Sequence, residues 1–137
     1  MTDAAVITRL LHAIDARDWD GVRVAFADDI RTDYTSLWGG SPETVTADAL
    51  IAQWIEFVNQ FGATQHLTGP LVVDGDRVET HVIAHHWQTA ADGGLAWTVY
   101  GHYLATVVDS KITSLTLQTY RADGNPALPD IASPADR

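Results

Sequence analysis

The spacing of apolar residues divides the chain into a helical first part and a β-rich second part. Within residues 4–17, apolar side chains recur at three- and four-residue steps, which is the period of an amphipathic helix. The polar stretch 18–21 interrupts this pattern, and a second, shorter helix is predicted to follow it and to end near Asp28 and Asp29. Residues 30–37 then alternate between apolar and polar side chains before a Gly-Gly pair and a proline, which predicts a short strand.

A third helix and a series of strands complete the pattern. The long apolar stripe of residues 47–61 predicts a helix with Thr46 as its N-cap. Beyond Gly62 the period changes to two, and the predicted strands lie near residues 64–67, 71–73, 77–89, 95–108 and 111–120. Two of these strands are about twice the typical length of ~5–6 residues, which indicates a strongly bent antiparallel sheet. Helices followed by a curved sheet predict the α+β fold class.

Length and charge limit the classes of partner. The 137-residue chain is predicted to form one domain over residues 1–122, followed by a loose tail at 123–137 that contains three prolines. Eighteen acidic residues against eight basic ones give a net charge of −10, so neither nucleic acid nor an anionic membrane surface is an expected partner. The chain has no cysteine, no recognisable secretory signal and no run of ~18 apolar residues, which together favour a soluble cytoplasmic protein.

Histidines are unusually frequent in the predicted strands, since five of the six lie in the β-rich second part of the chain. Alternation places His86 and Gln88 on one face of the strand at 77–89, and His81 and His85 on the other. Only one of the two adjacent histidines can therefore point into the fold, and the pattern alone leaves open which. His81 and His85 could bind a metal together with His66, but no carboxylate ligand is evident beside them, so we expect neither a metal nor another cofactor.

Two residues of the first part are candidates for acid/base chemistry. Asp15 continues the i, i+4 ladder of Ile7 and Leu11 along the apolar edge of the first helix, where a carboxylate is costly unless it has a partner. A buried histidine would be a suitable partner, and the alternative is that the helix ends there and Asp15 is exposed. Tyr34 shares the face of Ile30 and either lines a pocket or packs in the core.

Three segments resemble a known family. Residues 14–20 (IDARDWD), 31–34 (RTDY) and 64–67 (TQHL) are similar, in order and spacing, to the SnoaL-like branch of the nuclear transport factor two superfamily, and within it to the scytalone dehydratases. The resemblance implies a cone-shaped, curved mixed or antiparallel sheet wrapped around the N-terminal helices. It also implies a homodimer that forms through the outer face of the sheet, where we expect Ile83, Trp87 and Trp97.

The resemblance also assigns roles to residues of this chain. His66 falls on the catalytic histidine, Tyr34 on a tyrosine that positions a water or carbonyl, and Asp15 on a carboxylate that pairs with a second histidine. Gln88 occupies the position of that second histidine, and His86, two residues away on the same face, is the expected substitute. Ile14 stands where the family has a tyrosine, which bears on the substrate and the reaction. The residues expected to contact a substrate are Trp54, Val82, His85, Gln88 and Tyr103.

These assignments predict a cofactor-free acid/base enzyme, a dehydratase that acts on a small, hydrophobic, cyclic or polyketide-like hydroxy-ketone. His66 would abstract the proton beside the carbonyl, and Tyr34 would stabilise the enolate oxygen. Asp15 would hold His86 so that His86 protonates the departing hydroxyl. Two alternatives remain: an isomerase or aldol-type cyclase that uses the same groups, and a non-catalytic module that binds a small molecule.

Overall fold

Four helices and a seven-stranded sheet make up the described part of the structure, a computed structural model in which residues 3–88 and 96–124 are described. The helices are α1 (Ala5–Asp15), α2 (Trp19–Ala25), α3 (Thr35–Trp38) and α4 (Ala47–Val58). The strands are β1 (Phe26–Asp33), β2 (Glu43–Thr46), β3 (Ala63–Thr68), β4 (Val72–Asp74), β5 (Arg77–Trp87), β6 (Ala96–Val108) and β7 (Lys111–Gly124).

The sheet is mixed, open and curved. Its strand order is β2-β1-β7-β6-β5-β3, with β4 paired to β5. The β1–β7 pair is parallel and the other pairs are antiparallel. Register shifts at Tyr100/Gly101 and at Thr106/Val107 interrupt the β6–β7 ladder, and such bulges bend a strand and increase its twist. The predicted α+β class with a curved mixed sheet is therefore confirmed.

The core lies between the helices and the inner face of the sheet. Ile7 and Leu10 of α1 are almost completely buried, as are Phe26 and Ile30 of β1. Full burial of a side chain of this size stabilises a fold by about 1.5–3 kcal/mol. The amphipathic spacing that predicted α1 is thus the pattern of its buried face.

The start of α4 is also as predicted. Its N-cap Thr46 accepts a hydrogen bond from the backbone N–H of Ala49 at 3.1 Å. Among the described residues, no helix is long and apolar enough to cross a membrane.

The second helix ends earlier than the sequence pattern predicted. It stops at Ala25, and Phe26 already has the extended backbone angles φ −102° and ψ 146°. Asp28 and Asp29 therefore lie in β1 rather than at a helix end. The physical reasons are that Phe26 is fully buried in β1 and that carboxylates are unfavourable at the negative end of a helix dipole.

The strand predicted at residues 30–37 is shorter than expected. It ends at Asp33, whose carboxylate accepts hydrogen bonds from the Thr35 backbone N–H at 3.1 Å and from the Thr35 hydroxyl at 2.7 Å. This local turn directs the chain into α3, with Tyr34 as its N-cap residue. The short strand β2 was not predicted.

The last strand reaches further than predicted. It continues to Gly124, two residues into the segment expected to be a loose tail. The rest of that segment, 125–137, and the residues between the strands predicted at 77–89 and 95–108 lie outside the described residues.

Candidate active site

A cavity of about 430 Å³ lies between the helices and the inner face of the sheet. This volume is within the ~300–1,000 Å³ that is typical of small-molecule sites. Its wall is mostly apolar and aromatic. The polar or titratable side chains that reach it from the sheet and the β1–α3 turn include Tyr34, Thr64, His66, His86 and Tyr103.

His66 and Asp15 form a dyad at the cavity wall. Nδ1 of His66 lies 2.7 Å from Oδ1 of Asp15, and the backbone N–H of His66 donates to Oδ2 at 2.7 Å. Asp15 is the last residue of α1, and β3 carries His66 past this helix end. The side chain of His66 is 9% exposed and that of Asp15 is 21% exposed, so both are largely removed from bulk water.

The dyad fixes the tautomer of the imidazole. Burial raises the pKa of the Asp15 carboxyl, but the hydrogen bonds and charge of His66, with a further hydrogen bond from Thr64, outweigh burial and lower the pKa overall. Because the ionised carboxylate can only accept, Nδ1 of His66 carries the proton. In the neutral imidazole, Nε2 then keeps a free lone pair and can act as a base.

Two tyrosines supply hydroxyl groups to the same cavity. Burial, together with the charge of the neighbouring Tyr103, holds the pKa of Tyr34 well above its usual value. Burial also raises the pKa of Tyr103 to about 12, although its contact with Tyr34 opposes the rise. The edge of Trp54 packs on Tyr34 with ring centroids 6.4 Å apart, which positions the Tyr34 ring. Both phenols are therefore protonated at neutral pH and can donate hydrogen bonds to an oxygen of a bound molecule.

His86 faces the cavity from β5 within an aromatic environment. Its ring centroid lies 4.9 Å from that of Trp97, 5.7 Å from that of Phe57 and 5.0 Å from that of Phe61. Burial, and then the charge of His66, lowers the pKa of His86 to about 4. Its Nδ1 lies 3.1 Å from the carbonyl oxygen of Trp97, which can only accept, so Nδ1 carries the proton. His86 is thus a neutral imidazole at physiological pH.

The structure corrects the predicted pairing of the carboxylate. Asp15 was expected to hold the second histidine, His86, but it binds His66 instead. The reason is geometric: Thr64 and His66 lie on the same face of β3 and both hydrogen-bond to the end of α1, whereas His86 bonds to the next strand. The His66 and His86 rings are nevertheless neighbours, with centroids 6.3 Å apart.

The predicted substrate contacts divide into two groups. Trp54, Val82 and Tyr103 line the cavity. The predictions for His85 and Gln88 are wrong: His85 lies on the opposite face of β5, where its Nδ1 is 3.0 Å from Thr98 Oγ1, and Gln88 follows the end of the strand outside the cavity wall.

The predicted position of Trp97 is also wrong. It was expected on the outer face, but it is 2% exposed and lines the cavity, because β6 pairs it directly with His86 and cross-strand partners share a face. With Trp38 and Phe57 it forms an aromatic end of the cavity that sequence reasoning missed. Its face follows from the register between β5 and β6, which alternation along a single strand does not specify.

The outer face of β5 carries His81 as well as His85. His66 lines the cavity on the other side, so the three histidines considered as metal ligands do not meet. In residues 3–88 and 96–124 there is no group of three or more His, Cys, Asp or Glu side chains arranged to hold a metal ion.

The curved sheet, the helices packed against its inner face and the cavity between them define an α+β domain of the nuclear transport factor two-like (NTF2-like) class. Within this class the chain belongs to the SnoaL-like domain family, whose profile matches residues 4–111. The resemblance to this family inferred from three short segments is therefore confirmed.

Solved structures share this fold. The chain is similar to the Kfla4162 protein from Kribbella flavida, with 26% identity and a TM-score of 0.79 over 91% of this chain and 92% of that one. It is similar to an LEH-like epoxide hydrolase from M. tuberculosis, with 18% identity and a TM-score of 0.71 over 86% of this chain and 84% of that one. A scytalone dehydratase-like protein from Novosphingobium aromaticivorans has 18% identity and a TM-score of 0.71 over 86% of this chain and 81% of its own. No curated protein matches the chain significantly.

Proposed function

We propose that this protein is an acid/base enzyme that uses its own side chains to dehydrate a small, hydrophobic hydroxy-ketone. The observation that carries the proposal is the 2.7 Å contact between His66 Nδ1 and the Asp15 carboxylate, with the ring of His66 at the wall of an apolar cavity. An imidazole held in this tautomer by a carboxylate is the arrangement that a general base requires.

In the first step, Nε2 of His66 takes the proton from the carbon beside the carbonyl. The electron pair of that C–H bond moves onto the carbonyl oxygen and forms an enolate. The hydroxyls of Tyr34 and Tyr103 donate hydrogen bonds to this oxygen, and their raised pKa values keep both protonated. Asp15 stabilises the imidazolium that results.

In the second step, the protonated His66 returns its proton to the hydroxyl on the next carbon. The enolate electrons form the new C=C bond, the C–O bond breaks, and water leaves. The proposal thus uses His66 for both proton transfers, because His86, with a pKa of about 4, carries no spare proton at neutral pH. The role of proton donor expected for His86 passes to His66.

His86 is assigned a different task in this proposal. Since its Nδ1 donates to the carbonyl of Trp97, its Nε2 can accept a hydrogen bond from a substrate hydroxyl. The two imidazole ring centroids are 6.3 Å apart, so a hydroxyl bound to His86 would lie within reach of His66. This arrangement favours a hydroxy-ketone over a simple ketone as substrate.

Isomerisation is the second candidate, since one base that both removes and returns a proton is also sufficient to move a double bond. An isomerase would need no hydroxyl acceptor, so the environment of His86 favours dehydration. A module that only binds its ligand would not need the ionised dyad.

The test is turnover of a panel of small cyclic β-hydroxy-ketones, followed by ultraviolet absorbance of the enone product. His66→Ala is expected to lower kcat by about 10²–10⁴, and Tyr34→Phe by a smaller factor. His81→Ala is the matched control, because His81 is an exposed histidine on the outer face of the same sheet. Turnover by His66→Ala at the rate of the His81→Ala control would exclude the proposed base.

A further inference from the structure

A chain of hydrogen bonds connects Arg17 to His66 at the cavity wall. Nη1 of Arg17 donates to Oγ1 of Thr64 at 2.9 Å, and Thr64 donates to Oδ1 of Asp15 at 2.9 Å. The same carboxylate oxygen is 2.7 Å from Nδ1 of His66. Arg17 and Thr64 transfer no proton in the reaction proposed above, so their contacts call for a separate explanation.

The chemistry of the groups fixes the direction of this chain. A guanidinium has donors only, so the Thr64 oxygen must accept from Arg17, and the single hydroxyl proton of Thr64 is left for Asp15. The backbone N–H of His66 donates to the other carboxylate oxygen at 2.7 Å. Both oxygens of Asp15 are thus held by donors, and Thr64 is 6% exposed.

The end of α1 provides independent evidence that the side chain of Arg17 matters. The helix ends in a Schellman motif, in which the Asp18 backbone N–H bonds to the Ala13 carbonyl at 2.9 Å and that of Arg17 bonds to the Ile14 carbonyl at 3.1 Å. Arg17 occupies the left-handed position of this motif with φ 59°, where glycine is usual because it has no Cβ. Backbone preference alone would favour glycine here, so the arginine side chain contributes something that glycine cannot.

We propose that Arg17 and Thr64 are positioning residues that lock the Asp15 carboxylate and thereby hold His66 with Nε2 toward the cavity. The positive charge of Arg17 also favours the ionised form of Asp15. Among the described residues, the other titratable groups that interact with this carboxylate include His66 on β3, His86 on β5 and Tyr103 on β6. The kinetic part of this inference rests on the proposed function, whereas the orientation of the His66 ring can be measured without any substrate.

The experiment compares Arg17→Met, Thr64→Val and the double variant by ¹⁵N NMR of the histidine rings and by kcat. Wild-type His66 is expected to show the Nδ1–H tautomer alone, and each single variant a mixture of tautomers. Each single variant should lower kcat about tenfold, the effect expected for one hydrogen bond to a charged group, with KM nearly unchanged. The double variant should be no slower than the slower single variant, because both changes break the same chain.

Two further variants separate positioning from folding. Thr64→Ser keeps the hydroxyl and should restore both the tautomer and kcat, which a purely structural role of the Thr64 methyl group would not explain. Arg9→Met, which removes an exposed arginine in the first half of α1 that pairs with Asp3, should leave His66 unchanged.

Any of three results would overturn the proposed relay, the hydrogen-bond chain from Arg17 through Thr64 to Asp15. The first is a pure Nδ1–H tautomer of His66 in both single variants, and the second is losses of kcat that multiply in the double variant. The third is a Thr64→Ser variant as impaired as Thr64→Val. Failure of the proposed function would look different. In that case even the wild-type protein would not turn over the ketones, while the tautomer change in Arg17→Met would still support the relay.

Discussion

At the scale of single residues, His86 shows how surroundings alter a side chain's chemistry. Three aromatic rings surround it, and its pKa falls to about 4 chiefly because burial penalises the charged form. The same burial that makes His86 a poor acid makes its free ring nitrogen a suitable hydrogen-bond acceptor in an apolar cavity. His66, bonded to a carboxylate, is the better proton carrier of the two.

This difference predicts how stability changes with pH. In the unfolded chain His86 takes up a proton near pH 6.5, but in the folded protein only near pH 4, so the unfolded state binds more protons between these values and stability falls as the pH is lowered. The shift corresponds to a loss of about 3 kcal/mol across this window. His86→Gln removes the titrating group, and its unfolding free energy in urea should fall correspondingly less between pH 7 and pH 4.

The matched control is His81→Gln, which alters an exposed histidine on the same strand. It should keep the pH dependence of the wild-type protein. If the His86→Gln variant lost stability as steeply as the wild-type protein on acidification, the assignment of His86 as a buried, neutral imidazole would be contradicted.

The sequence pattern named both residues of the dyad as candidates, but it did not predict that they pair with each other. The position of Asp15 on an apolar helix edge and the motif around His66 predicted both residues. Their direct contact was not predicted, because it depends on the Schellman turn and on how β3 passes the helix end, which no local pattern specifies. The environment of His86 was likewise hidden, since two of its three aromatic neighbours come from α4 and β6.

At the scale of elements, the bend between β6 and β7 shapes the sheet around the cavity. Gly101 lies at a register shift of this ladder. A Cβ added there would meet the Gln118 carbonyl oxygen at 2.6 Å and the Leu117 side chain at 3.0 Å. Since a backbone oxygen cannot move without disturbing its strand, this glycine permits the close approach of the two strands.

Gly101→Ala is therefore expected to destabilise the protein by about 1–3 kcal/mol, the usual cost of overpacking. Gly69→Ala is the matched control, because a Cβ at that position would make only an ordinary 3.7 Å contact with His81. Urea unfolding monitored by tryptophan fluorescence compares the two. Equal losses of stability in both variants would show that the β6–β7 approach is not the constraint.

Strand alternation predicted the elements of the second half well, but it did not determine their register. β5 and β6 were predicted to within about two residues, yet Trp97 was assigned to the wrong face. A shift of one residue exchanges the two faces of a strand, and the length of the connecting turn, which sets this register, cannot be counted from alternation. The early end of α2 at Ala25 was missed for a similar reason, because tertiary burial of Phe26 decides it.

At the scale of the whole molecule, the curved sheet carries its candidate catalytic side chains on the inner face. The outer face presents Ile83, His85 and Trp87 as partly buried side chains, with Tyr120 61% exposed. The homodimer expected from the family resemblance stays a prediction for this face. Sedimentation equilibrium should give twice the chain mass of 14.9 kDa, and Ile83→Glu should give a single chain mass; a monomeric wild-type protein would contradict it.

In the proposed reaction, His66, held by Asp15, removes a proton beside a ketone carbonyl in the cavity. The most direct test uses NMR to follow the exchange of that proton for deuterium in D₂O. The substrate is a cyclic ketone that lacks the β-hydroxyl, so the reaction cannot proceed to elimination of water. Wild-type protein is predicted to catalyse the exchange, and His66→Ala to lose it by about 10²–10⁴ while His81→Ala retains it. Exchange by His66→Ala at the wild-type rate, or no exchange by the wild-type protein, would contradict the claim.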